Sequence, residues 1–182
     1  MGTFGNIKKN KSDITRICVL DFDGTLINTP IPEKGYVQYK EKTGQDWPHK
    51  GWWGRVESLD TAIFDMPVMS SVISEYKKES KNPNTLMVMM TGRLPKLSDA
   101  VKKILDSHGL KFDIYEFNNG GSTLHSKITS LNKLIEEYSN VKSIALWDDR
   151  DEHIPAFNAW GAAQDGIDYH MTHVKSNHHG PQ

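Results

Sequence analysis

Two carboxylates separated by one residue, Asp21 and Asp23, follow the apolar run Ile17-Cys18-Val19-Leu20 and precede Gly24-Thr25-Leu26. In extended backbone, residues two apart project to the same side. Like charges that close repel one another, and burial at the edge of a core adds a desolvation cost, so the pair requires a cation or strong hydrogen bonds. Carboxylates placed this way can hold a metal, attack an electrophile or shuttle a proton. An EF-hand calcium loop does not fit, because it needs further acids and a glycine at its sixth place, whereas Gly24 is fourth with Asp21 counted as first. A surface turn is the ordinary alternative, since Asp and Gly favour turns. The rest of the chain decides between them.

The unbroken apolar character of Ile17 to Leu20 is that of a strand buried on both faces of a parallel sheet. Leu86 to Met90 and Ser143 to Trp147 read the same way, with further strands expected over Phe112 to Phe117 and Ala163 to Tyr169. Helices are expected from Pro67 to Lys78, Pro95 to His108, Ser126 to Tyr138 and Glu152 to Trp160. Strands alternating with helices of this length predict a doubly wound α/β domain with a parallel sheet. In such sheets functional groups gather beyond the carboxyl ends of the strands. Three strands here end in polar residues: Asp21 and Asp23, then Thr91-Gly92-Arg93, then Asp148-Asp149-Arg150. A plain turn or an acidic helix start explains each alone, but neither explains why all three fall at one edge.

The chain of 182 residues suits one domain with a small insertion, assigned to residues 28–84. That stretch is polar and punctuated by proline, with no long periodic element before Pro67, and it carries Trp47, Trp52 and Trp53. The tryptophans are read first as a local mini-core, with a stacking platform for a base or sugar as the sharper alternative. A formal net charge of -1 gives no global reason to expect a polyanion partner. The single cysteine, Cys18, is read as a buried structural thiol. No signal peptide or membrane-spanning run is evident, so the default expectation is a cytoplasmic protein with no membrane partner. Residues 1–12 are read as a solvated lead-in, and His170, His173, His178 and His179 as a frayed tail rather than a metal site.

Taken in order, the D-x-D-G-T-L of Asp21 to Leu26, the threonine of Thr91-Gly92-Arg93, Lys127 early in a helix, and the paired acids Asp148-Asp149 resemble the four motifs of the haloacid dehalogenase (HAD) superfamily of phosphohydrolases. The resemblance runs from Ile17 to about Tyr169. A narrower likeness, carried by Thr29-Pro30-x-Pro32, Gly51-Trp52-Trp53, Thr91-Gly92-Arg93 and Asp149-Arg150-x-x-His153-x-x-x-Phe157, is to the branch called Swiss Army Knife RNA repair-like.

The resemblance implies a Mg2+-dependent phosphomonoesterase that works through an aspartyl-phosphate. Asp21 would be the nucleophile, and Asp23 the acid and then the base. Thr91 and Gly92 would hold phosphoryl oxygens and Lys127 would neutralise charge. Asp21, the backbone carbonyl of Asp23, and Asp148 would hold Mg2+, with Asp149 supporting that shell. Arg93 and Arg150 are expected at the cleft rim as phosphate or backbone contacts. The substrate would be a phosphorylated small molecule or a nucleic-acid end, and a phosphate-binding module without turnover is the third possibility. Between Thr91 and Lys127 one helix and one strand consume most of the chain, so whatever covers the site must come from residues 28–84.

Overall fold

A computed structural model of the protein describes residues 9–176. His178, His179 and most of the expected lead-in lie outside the described residues. Five strands, β1 (Arg16–Leu20), β2 (Thr85–Met90), β3 (Ile114–Glu116), β4 (Ser143–Asp148) and β5 (Asp168–His173), form one parallel sheet in the order β3-β2-β1-β4-β5. Strand β1 is central, which is why its residues are apolar without alternation. Ile17 and Val19 enter one core with Leu86, Val88, Ile144 and Leu146, whereas Cys18 and Leu20 enter the other with Met87, Met89, Ala145 and Trp147. Helices α2 (Ser70–Ser80) and α3 (Ser98–Ser107) cover the Cys18 face through Val72, Tyr76, Val101, Ile104 and Leu105. The opposite face is covered by α4 (Thr123–Glu137) and α5 (Ile154–Ala162) through Leu131, Leu134, Phe157 and Trp160. Among the described residues no helix is long and apolar enough to cross a membrane.

Several boundaries differ from the sequence-based expectation. Helix α2 begins at Ser70, not Pro67, because the Pro67 carbonyl accepts the Asn28 N–H at 2.8 Å and Val68 forms an antiparallel bridge with Ile27. Pro95–Leu97 form a 3-10 turn before α3. Helix α4 starts three residues earlier than expected, where the Ser122 hydroxyl caps it by accepting the His125 N–H. The last strand is displaced furthest. Helix α5 runs to Ala162, a turn at Gly166 (φ 76°) follows, and β5 begins only at Asp168. His170 and His173 therefore lie in an edge strand rather than in a frayed tail.

The largest miss is α1 (Pro32–Thr43), in the stretch read as lacking a long element. Its start and stop signals are ordinary: Pro32 in the first turn and Gly44 in the left-handed conformation (φ 76°), whose N–H bonds the Lys40 carbonyl. What it lacks is an apolar stripe, since its one buried residue is Gly35. There the helix lies directly on the Trp52 indole, inside an aromatic cluster that includes Trp47 and Phe64. This cluster is the mini-core, and Trp52 and Trp47 belong to it.

A Cβ added at Gly35 would stand 2.1 Å from the end of the Trp52 ring. Helix propensity favours Gly35→Ala by roughly 1 kcal/mol, but overpacking a filled core costs about 1–3 kcal/mol, and here the neighbour is a rigid indole. Gly35→Ala is expected to be destabilising in urea titrations; a stabilised variant would show that α1 moves freely off Trp52.

Candidate active site

The paired β1–β4 register places Leu20 beside Trp147, and one further step, with the Asp21 N–H bonded to the Trp147 carbonyl at 3.0 Å, brings Asp21 alongside Asp148. Beyond β1 the chain closes a tight loop. Gly24 sits at φ 72° and donates its N–H to the Ile27 carbonyl at 2.8 Å, a conformation open to glycine at no steric cost. Phe22, Leu26 and Ile27 are fully buried and anchor this loop in the core, so Asp21 and Asp23 face away from it on either side of Phe22.

Lys127, in the second turn of α4, donates to Asp21 Oδ1 at 2.9 Å and to Asp148 Oδ2 at 2.7 Å. The other Asp21 oxygen accepts the Thr25 hydroxyl at 3.0 Å. Asp148 Oδ1 accepts the Arg150 N–H, and Asp149 Oδ2 accepts the Ser176 hydroxyl. Asp21, Asp148 and Asp149 each offer an oxygen within 4.8 Å of the others, and all three are buried. One ammonium thus faces three carboxylates. Burial pushes the Asp21 carboxyl well above the usual range, and the Asp148 and Asp149 charges push the same way against Lys127. Asp149 is pushed up to about 6, chiefly by burial, with Ser176 opposing. The lysine is raised, because attraction to Asp148 and Asp21 outweighs its own desolvation. An oxygen-only, anion-rich cluster of this size suits a small hard divalent cation.

Asp23 lies outside that cluster. Its carboxylate takes a two-point grip from Arg93, Nε to Oδ2 at 3.0 Å and Nη2 to Oδ1 at 2.7 Å, and the Thr29 hydroxyl adds a third bond at 2.7 Å. Arg93 Nη1 donates to the Trp53 carbonyl and the Ser58 hydroxyl at 3.0 and 2.8 Å. The expectation of Arg93 at an open rim is therefore corrected: only 3% of it is exposed, and its guanidinium ties the Trp53–Ser58 segment to Asp23. A guanidinium so fully bonded is sheltered because the Trp53–Ser58 segment folds over it. Arg150 does line the cavity, paired with Glu152 at its outer side.

Thr91 is buried, its hydroxyl accepting the Arg93 N–H at 3.1 Å, and Gly92 lines the cavity against Thr123. A side chain at position 92 would stand 2.5 Å from the Thr123 hydroxyl, so only glycine leaves this approach open. The cavity, about 430 Å³, is also lined by Asp21, Asp23, Lys127, Asp149, Trp53 and the Ile31–Glu33 start of α1. Asp21, Asp23, Gly92, Arg93, Lys127, Asp149 and Arg150 thus meet at one cleft, with Asp148 behind it bonded to Lys127.

Sequence reasoning missed Thr25, Thr29, Ser58, Thr123 and Ser176 as partners of these groups. Thr25 and Thr29 sit inside the quoted D-x-D-G-T and T-P-x-P stretches, so motif spacing carried a signal for them. Nothing in the sequence points to Ser58 or Ser176.

This fold, with an aspartate pair, a buried lysine and a second acidic pair at one sheet edge, is that of a HAD domain. The chain belongs to HAD domain family 1 in Swiss Army Knife RNA repair proteins, whose sequence model matches residues 38–179. An uncharacterized Saccharomyces cerevisiae protein, YMR265C, is 24% identical over 171 residues, covering 81% of this chain and 37% of its own length. Among solved structures, a chain of a Pnkp1/Rnl/Hen1 complex superposes with a TM-score of 0.54 at 13% identity, covering 94% of this chain and 50% of that one. In a Pnkp1/Rnl/Hen1 RNA repair complex the values are 0.57, 12%, 93% and 46%. The chain therefore spans half or less of the length of these relatives.

The raised Asp149 carboxyl has a pH signature. Its folded value of about 6 lies above the unfolded value near 4, so the folded state binds the extra proton and loses stability as pH rises between about 4 and 6. Asp149→Asn carries no such charge. In EDTA, the melting temperature of Asp149→Asn relative to the wild type is expected to climb across that window; a constant difference would mean that Asp149 ionises unhindered.

Proposed function

We propose that the protein is a Mg2+-dependent phosphomonoesterase acting through an aspartyl-phosphate on Asp21. The observation that carries this reading is Asp21 at the cavity wall, one oxygen bonded to Lys127 and the other to Thr25, beside two further buried acids. Attack by an Asp21 oxygen forms the O–P bond while the ester P–O bond breaks, and Asp23 delivers a proton to the departing alkoxide. Asp23 then takes a proton from water, which attacks phosphorus, frees inorganic phosphate and restores Asp21. Asp21, Asp148 and Asp149, with the Asp23 carbonyl, would hold Mg2+, which when bound supplies the positive charge that lets an anionic nucleophile meet a phosphoryl group. Lys127 offsets charge on Asp21, and the Gly92 backbone gives phosphoryl oxygens a close approach.

A more specific reading, hydrolysis of terminal phosphates on polynucleotides, is favoured by membership in a family of RNA repair proteins and by the two RNA-repair structural neighbours. A phosphate-binding module without turnover is less well supported, because acid, nucleophile and lysine are all present.

Phosphate release should be screened with Mg2+ over p-nitrophenyl phosphate, sugar phosphates, nucleotides and 3′-phosphorylated oligonucleotides. Release is expected to stop in EDTA and to return with Mg2+. Asp21→Asn should keep a cooperative melt and lose at least about a thousand-fold in kcat. Near-normal turnover by that variant would remove Asp21 from the nucleophile role.

A further inference from the structure

Of the three tryptophans in the insertion, Trp47 and Trp52 are spent on the mini-core, where Trp52 is 3% exposed. Trp53 is 42% exposed and lines the same cavity as Asp21, Asp23 and Lys127. A partly exposed indole on the wall of a phosphate-type site offers apolar area to a ligand bound there. Its placement is also fixed. The Arg93 guanidinium lies 5.1 Å from the ring centre, and the same side chain holds the Trp53 carbonyl. Because Arg93 is anchored on Asp23 and Ser58, the ring is braced before any ligand arrives, which lowers the ordering cost of binding. Val56 and Leu94, neighbours of Trp53 and Arg93 in the chain, are among the few other large apolar side chains left exposed.

We propose that the exposed face of Trp53 is a stacking wall for the base of a nucleoside phosphate whose phosphate lies at Asp21 and Lys127. This rests on the phosphomonoesterase reading and names its substrate class. The spacing argues for a nucleoside over a simple aryl phosphate. Arg93 lies between Asp23 and the Trp53 ring, so a ligand ring stacked there is held at least a guanidinium's width from the ester oxygen that Asp23 serves. A ribose provides such a spacer between phosphate and base. An aryl phosphate, whose ring is bonded directly to the ester oxygen, has no such spacer.

The test compares wild type, Trp53→Phe and Trp53→Ala on adenosine 3′-monophosphate, a 3′-phosphorylated oligonucleotide, the same oligonucleotide with an abasic terminal residue, p-nitrophenyl phosphate and glycerol 2-phosphate. In Trp53→Ala the ratio of kcat/KM for base-bearing over base-free substrates is expected to fall about ten-fold, as for loss of one stacked base, with Trp53→Phe keeping most of it. A fall on the mononucleotide and the oligonucleotide alike assigns the wall to the nucleoside itself; a fall on the oligonucleotide alone would place another base there and overturn the proposal. Equal losses on all substrates, or none, would overturn the proposal. Should the wild type hydrolyse none of them, the phosphatase reading fails separately. Quenching of tryptophan fluorescence by adenosine 3′-monophosphate then decides the wall: it is expected in wild type and absent in Trp53→Ala, and equal quenching in both overturns it.

Discussion

The ammonium of Lys127, wedged between Asp21 and Asp148, is the interaction on which the site depends. Three carboxylates buried at one sheet edge would repel strongly, and removing one partner of a buried ion pair typically costs about 3–5 kcal/mol. The lysine can stand there only because α4 is docked on the sheet through Leu131 and Leu134, and the aspartates meet it only because β1 and β4 pair in the observed register. Core packing and charge placement are thus one construction. Hydrophobic burial supplies the free energy that holds an anion-rich cluster together, and the residual negative charge is what remains for a cation to meet.

A second cationic centre, Arg93, organises the other half of the cleft in a different way. Where Lys127 satisfies charge deep in the domain, Arg93 joins three parts of the chain: the Asp23 loop, the Trp53–Ser58 segment and the turn after β2. A planar group with five donors can do this where an ammonium cannot. The Trp53–Ser58 segment is accordingly part of the cleft's architecture, held to it by hydrogen bonds and adjoining the aromatic cluster around Trp52.

How much of this was legible in the sequence varied with the kind of signal. The buried strands announced themselves as apolar runs, and their polar ends located the site, because a parallel sheet with helices on both faces leaves chemistry only at its carboxyl edge. Helix α1 stayed hidden because it packs through a glycine and aromatic edges rather than an apolar stripe, and hydrophobic periodicity is blind to that. Strand β5 was misplaced because an edge strand is half exposed, so its histidines and threonine look like loop. The Arg93–Asp23 pair was also out of reach. Arginine next to a strand end reads as a surface group until one knows which loop folds over it.

Beyond β5 the chain turns back to the acids. The Val174 N–H bonds the Asp148 carbonyl at 2.8 Å, and the Ser176 hydroxyl rests on Asp149. The chain at Ser176 therefore stands beside the acidic cluster and not on the far side of the domain. A flexible tether of modest length starting there would hold any module attached to it at millimolar effective concentration over the cleft, so a weak affinity of that module for a ligand of the cleft would suffice for joint engagement.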